Sequence, residues 1–194
     1  MTAAILVIDL VNDTFKHDTP VAKAARAFMP ALNDFLDQAR RAGHRVIFST
    51  DSFLPGDFIF QGRMKEHSIR GTHGAEIAAE IHQEPDDVWL PKRRFSAFFK
   101  TDLDQTLRLW GVETVAVAGV TTQVCVLSTV FDALANDFRT VLLEDLTASM
   151  SRAAHEATLD LYRNMPAMAP LLRVMTSAGF LEAMSEEESK SGGE

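Results

Sequence analysis

One cysteine, Cys125, stands alone in the chain, within the run AGVTTQVCV from Ala118 to Val126. A strand-like apolar stretch from Thr114 to Ala118 leads into Gly119, and a helix-like stretch from Val124 to Ala135 follows. The thiol therefore falls at a strand-to-helix junction. The first N–H groups of a helix have no partners within it, and the helix dipole there favours an anion. A thiol so placed is expected to ionise below its free value of about 8.5 and to serve as a nucleophile. The plainer reading of a lone cysteine is a small buried hydrophobe.

Three more reactive side chains fall where strands are predicted to end. Asp9 follows the apolar run Ala3 to Ile8, Asp51 follows Arg45 to Thr50, and Lys92 follows Asp87 to Leu90. A cysteine that attacks a carbonyl needs a proton acceptor, a charge that holds the thiolate, and donors for the oxyanion. Asp9 can take the thiol proton and later deliver it to a departing amine. Lys92 can hold the charges, and the N–H groups of Thr121 and Cys125 can face the oxyanion. None of the six histidines falls in this strand-end set, so a Cys–His pair is not what the sequence offers.

The elements that must position these groups alternate between strand and helix. Helices are predicted from Val21 to Ala42, with Pro30 opening the main part and Gly43 stopping it. Others follow from Glu76 to Ile81, from Thr101 or Asp102 to Trp110, from Val124 to Ala135, from Ser151 to Asn164, and from Ser177. The later strands are Phe138 to Leu143, with Glu144 and Asp145 at its end, and Leu171 to Met175. A long glycine-punctuated loop runs from Asp51 to Ala75. Without a hairpin signal, this alternation predicts a three-layer α/β/α fold: an open, mainly parallel sheet of about six strands with helices on both faces. Right-handed crossovers then bring the strand ends to one edge, where such folds bind ligands.

The 194 residues, 46% hydrophobic and 24% charged, suit one domain over 1–184, with an acidic tail over 185–194 expected to be disordered. The net charge of −8 without a basic run argues against nucleic acid or an anionic membrane as partner. A lone cysteine, a start without a basic leader and no long apolar span predict a cytoplasmic protein.

Three motifs in order, VIDLVND (Val7 to Asp13), LPKRRFSAF (Leu90 to Phe98) and AGVTTQVCV, resemble those of the isochorismatase-like cysteine hydrolases, a group that includes nicotinamidases and N-carbamoylsarcosine amidases. The resemblance runs from about Ile5 to Met175. It implies a catalytic triad of Asp9, Lys92 and Cys125, and a cis peptide joining Val120 to Thr121 that aims the Thr121 N–H into an oxyanion hole. It also implies a homodimer or higher homo-oligomer. Isochorismatases proper cleave a vinyl ether and lack the cysteine, so Cys125 points away from that reaction.

Nicotinamidases of this group bind a divalent metal through Asp-x-His and a later histidine. Here Asp51-Ser52-Phe53 keeps only the aspartate, and His67 matches the later ligand. An Asp51–His67 pair leaves a zinc site a ligand short of the usual three, unless Asp57 adds an oxygen. The expected function is a cysteine-dependent hydrolase that cleaves a C–N bond of a small amide or carbamoyl compound through a thioester, with no cofactor required. Phe15, Phe53, Phe58, Phe60 and Phe98 are candidates for the pocket wall, with core packing as the alternative for each. The rival functions are a metal-dependent nicotinamidase and a non-catalytic redox-sensing or ligand-binding module.

Overall fold

The computed structural model describes residues 2–191. Six strands form one sheet in the order β3-β2-β1-β4-β5-β6, and every pair in it is parallel. They are β1 (Ala3–Ile8), β2 (Arg45–Asp51), β3 (Val88–Lys92), β4 (Thr114–Val120), β5 (Arg139–Ala148) and β6 (Leu172–Met175). The helices are α1 (Asn12–Phe15), α2 (Pro20–Arg41), α3 (Leu103–Leu109), α4 (Leu127–Ala135), α5 (Arg152–Arg163) and α6 (Ser177–Ser191). The strand order reverses between β1 and β4, which opens a crevice at their carboxyl ends.

Both faces of β1 are buried, which its unbroken apolar run requires. Ala3, Ile5 and Val7 pack under α2 and α6 with Leu32, Leu36 and Phe180. Ala4, Leu6 and Ile8 pack on the opposite side with Leu103, Leu107 and Val130 of α3 and α4, and Leu159 of α5 belongs to the same cluster. Among the described residues, no helix is long and apolar enough to cross a membrane.

Several elements depart from the sequence expectation. Pro30 lies inside α2 and does not open it: Thr19 caps the helix through a bond from the Ala22 N–H, and Pro20 is its first residue. A proline in mid-helix costs about 3 kcal/mol. Buried Phe28, Met29 and Leu32 on either side contribute about 1.5–3 kcal/mol each and outweigh it. The helix expected from Glu76 to Ile81 is absent. Ile77 pairs with Val11, the Ala78 N–H donates to the Leu10 carbonyl, and Asn33 holds the Glu80 carbonyl and the His82 N–H. Those tertiary bonds take the backbone groups that a helix would have used.

Glu144 and Asp145 sit inside β5, not at its end, because the strand continues to Ala148 after a register shift against β4 between Val117 and Gly119. Helix α4 starts at Leu127, and the residues before it, Thr122–Val126, form a wider turn in which the Val126 N–H reaches back five residues to the Thr121 carbonyl. The tail expected to be disordered from Ser185 instead continues α6 to Ser191. Phe180 and Met184 anchor that helix in the core, and Arg173 pairs with Glu187 at 3.8 Å. The rest of the expected tail, 192–194, lies outside the described residues.

Candidate active site

The site is built at the crevice between β1 and β4. Gly119 sits opposite Ile8 with φ +109, and a Cβ at that position would overlap the Ile8 backbone. Glycine is therefore required for the two strands to close up just before Asp9 and the cysteine turn. Asp9 itself takes a left-handed conformation (φ 54), a region that aspartate tolerates better than most residues. Its N–H donates to the Ser49 carbonyl, and the Thr14 hydroxyl donates to its carbonyl. This fixes the direction of the side chain.

Four side chains then meet. Lys92 Nζ donates to Asp9 Oδ2 at 2.8 Å and to Asp51 Oδ1 at 2.5 Å. The Asp51 N–H donates to Asp9 Oδ1 at 2.8 Å. The Cys125 sulfur and one oxygen each of Asp9 and Asp51 all lie within 4.8 Å of one another. All four residues are buried, and the Lys92 side chain has no solvent exposure. Pro91, beside Lys92, is accommodated because β3 is an edge strand.

Electrostatics in this closed cluster differ from the expectation for a helix start. Burial pushes Asp9 up to about 7, and the Asp51 carboxylate pushes the same way against Lys92 and the Cys125 hydrogen bond. Burial works against the Lys92 ammonium, but Asp9, Asp51 and Cys125 outweigh it and hold the lysine firmly protonated. Burial, together with Asp9, also pushes the Cys125 thiol well above its ordinary value, so the sequence expectation of a depressed thiol is overturned. One turn of helix dipole does not offset desolvation beside two carboxylates. At rest the thiol keeps its proton.

The peptide between Val120 and Thr121 is cis. The Val124 and Val126 N–H groups both donate to the Thr121 carbonyl, and the Cys125 carbonyl accepts from the Thr129 hydroxyl at 2.8 Å. That hydroxyl in turn accepts the Ala97 N–H, which ties the segment after Lys92 to the cysteine turn.

Among the described residues, Asp51, Asp57 and His67 do not form a three-ligand cluster. Phe53 is fully buried at the position of the missing histidine and packs edge-on against Phe60 and His67. His67 bonds to the Lys65 carbonyl through Nδ1. Asp57 is taken by a two-pronged pair with Arg93 and by the Leu54 N–H. Asp51 is committed to Lys92. Asp9, Asp51 and Cys125 have metal-like spacing, but the Lys92 ammonium already lies among them as their cation. This donor set does not fit a resident zinc ion.

Phe15 packs into the core beneath the Arg26 guanidinium, and Phe98 packs against Phe138. Sequence reasoning pointed to Phe58 only as one of five aromatics and did not single out Phe95. These two, with Ile59 and Arg94, line an apolar groove of 550 Å³ between the loop after β2 and the segment after Lys92. The pairing of Asp51 with Lys92, and the histidine beside Thr122, carry no local motif and emerge only from the folded chain.

A family model for the isochorismatase domain matches residues 3–177. The chain belongs to the isochorismatase family of hydrolases. It is 33% identical to a "Probable inactive nicotinamidase" of Arabidopsis thaliana over 87% of this chain and 92% of that protein. It is 38% identical to a ureidoacrylate amidohydrolase of Rhizobium rhizogenes over 74% of this chain and 69% of that protein. The structure of an isochorismatase-like hydrolase from Alkaliphilus metalliredigens superposes with a TM-score of 0.84 at 31% identity, covering 95% of this chain and all of that one.

Proposed function

We propose that the protein is a cysteine-dependent amidohydrolase that cleaves a C–N bond of a small amide or carbamoyl compound, with Asp9, Lys92 and Cys125 as its catalytic residues. The observation that carries this reading is the convergence of a thiol, a carboxylate of raised pKa and a buried ammonium at one sheet edge. A relative named for amide hydrolysis of a ureido acid supports the substrate class.

With the thiol protonated and Lys92 cationic, the cluster around Asp9 holds a fixed total charge. Passing the thiol proton to Asp9 leaves that charge unchanged, so thiolate forms without adding charge to a buried site. The sulfur attacks the substrate carbonyl as Asp9 takes the proton, and the Thr121 and Cys125 N–H groups hold the oxyanion. Asp9 then gives its proton to the departing nitrogen, the C–N bond breaks, and a thioester remains. Water attacks the thioester with Asp9 as its base, and that proton returns to sulfur as the C–S bond breaks. A base near pKa 7 suits this shuttle at neutral pH.

A redox sensor is less well supported, because sensor thiols are accessible and of low pKa, whereas Cys125 is buried and raised. Ammonia release across a panel of amides and ureido acids tests the reading, with Cys125→Ala as the control. Turnover lost in that variant supports it; no release from any panel member sinks it.

A further inference from the structure

The turn that carries Cys125 is fastened from outside by a residue that the chemistry does not use. Thr122 follows the cis peptide directly and is completely buried, and its hydroxyl lies 2.8 Å from His155 Nδ1. His155 stands in the first turn of α5, its own N–H bonded to the Ser151 carbonyl. The backbone of Glu144, within the shifted part of β5, also bears on the ring's charge. With the ring N–H on Nε2, Nδ1 accepts the Thr122 hydroxyl. Beside this link, the Ser149 hydroxyl donates to the Gln123 side chain at 2.6 Å.

We propose that His155 is a positioning residue: through Thr122 it locks the cysteine turn to α5, and so sets the aim of the Cys125 sulfur and the Thr121 N–H. The proposal rests on the reading of Cys125 as the nucleophile. The ring sits among Glu156, Arg163 and Glu144, and burial, the largest influence, holds it neutral below the ordinary imidazole value. A neutral ring keeps the Nδ1 lone pair available to Thr122. No side chain of α5 other than Leu159 is fully buried, so this bond is a specific link between that helix and the site.

The test is a double-mutant cycle of Thr122→Val and His155→Phe, with Thr122→Ser as the conservative variant. Two readouts are taken: the iodoacetamide alkylation rate of Cys125 against pH, and kcat and KM on whichever panel amide the wild type turns over. Melting temperatures identify any variant that is merely unfolded. The expectation is that each single variant lowers kcat about tenfold or more with little change in KM. Each should also shift the alkylation profile, the double variant should be no worse than the poorer single, and Thr122→Ser should retain most of the rate. Losses that multiply in the double variant, or folded variants with wild-type kcat and alkylation profiles, overturn the proposal. If the wild type releases no ammonia, the functional reading fails, and the alkylation cycle alone still decides whether the link holds the thiol.

Discussion

Asp9 and Asp51 share one ammonium. Lys92 Nζ lies 2.8 Å from the first and 2.5 Å from the second, and the Asp51 N–H binds the remaining Asp9 oxygen. The second carboxylate keeps the lysine in place and makes the first a stronger base. That pairing gives Asp51 an electrostatic influence on Asp9.

The pH profile follows from that arrangement. Burial and then Asp51 raise Asp9 to about 7, so activity that needs ionised Asp9 rises as pH passes through that value. Asp51→Asn removes one of the raising charges, and the acidic limb of kcat/KM is expected to move to lower pH. Rate profiles of the two proteins from pH 5 to 9 check this; an unmoved limb contradicts it.

Stability should show the same group with the opposite benefit. A carboxyl whose folded pKa is raised favours the fold below its unfolded value of 3.8 and loses that contribution as pH climbs to about 7. Asp9→Asn removes this penalty along with the base. The melting temperature of Asp9→Asn relative to wild type is expected to be more favourable at pH 8 than at pH 5, with turnover abolished at both. Thermal denaturation at the two pH values is the measurement.

Removing the cation should be the costliest change in the cluster. Lys92→Met leaves two buried carboxyl groups without their counter-ion, and breaking such a pair costs about 3–5 kcal/mol. Urea denaturation should register that loss, and adding Asp51→Asn to Lys92→Met should recover part of it. Neither protein should turn over substrate.

Chelation supplies a further test. With Phe53 in place of a ligand and Asp57 held by Arg93, the expected outcome is full turnover after exhaustive treatment with a chelator. Elemental analysis of the active protein should find less than one zinc per chain. Loss of activity that zinc restores would contradict the account.

The frame of this site was legible in the sequence because parallel strands buried on both faces announce themselves as apolar runs. Ala3 to Ile8 and Thr114 to Ala118 gave β1 and β4, and their ends gave Asp9 and the cysteine turn. What depended on contacts between distant segments was not legible. The stretch at Ile77 and Ala78 has a helical look but is claimed by Leu10 and Val11, and Pro30 is tolerated only because α2 buries a continuous face around it. The state of the thiol could not be read from its helix either. Its direction is set by how deeply Asp9 and Cys125 are enclosed together, a property of the assembled sheet edge.

The most direct test of a covalent cysteine mechanism is mass spectrometry of the protein acid-quenched during turnover of an amide it hydrolyses. The account predicts an added acyl mass on the peptide containing Cys125, absent from Cys125→Ala, which should also release no ammonia. Steady turnover with no adduct, and with undiminished activity in Cys125→Ala, would contradict it.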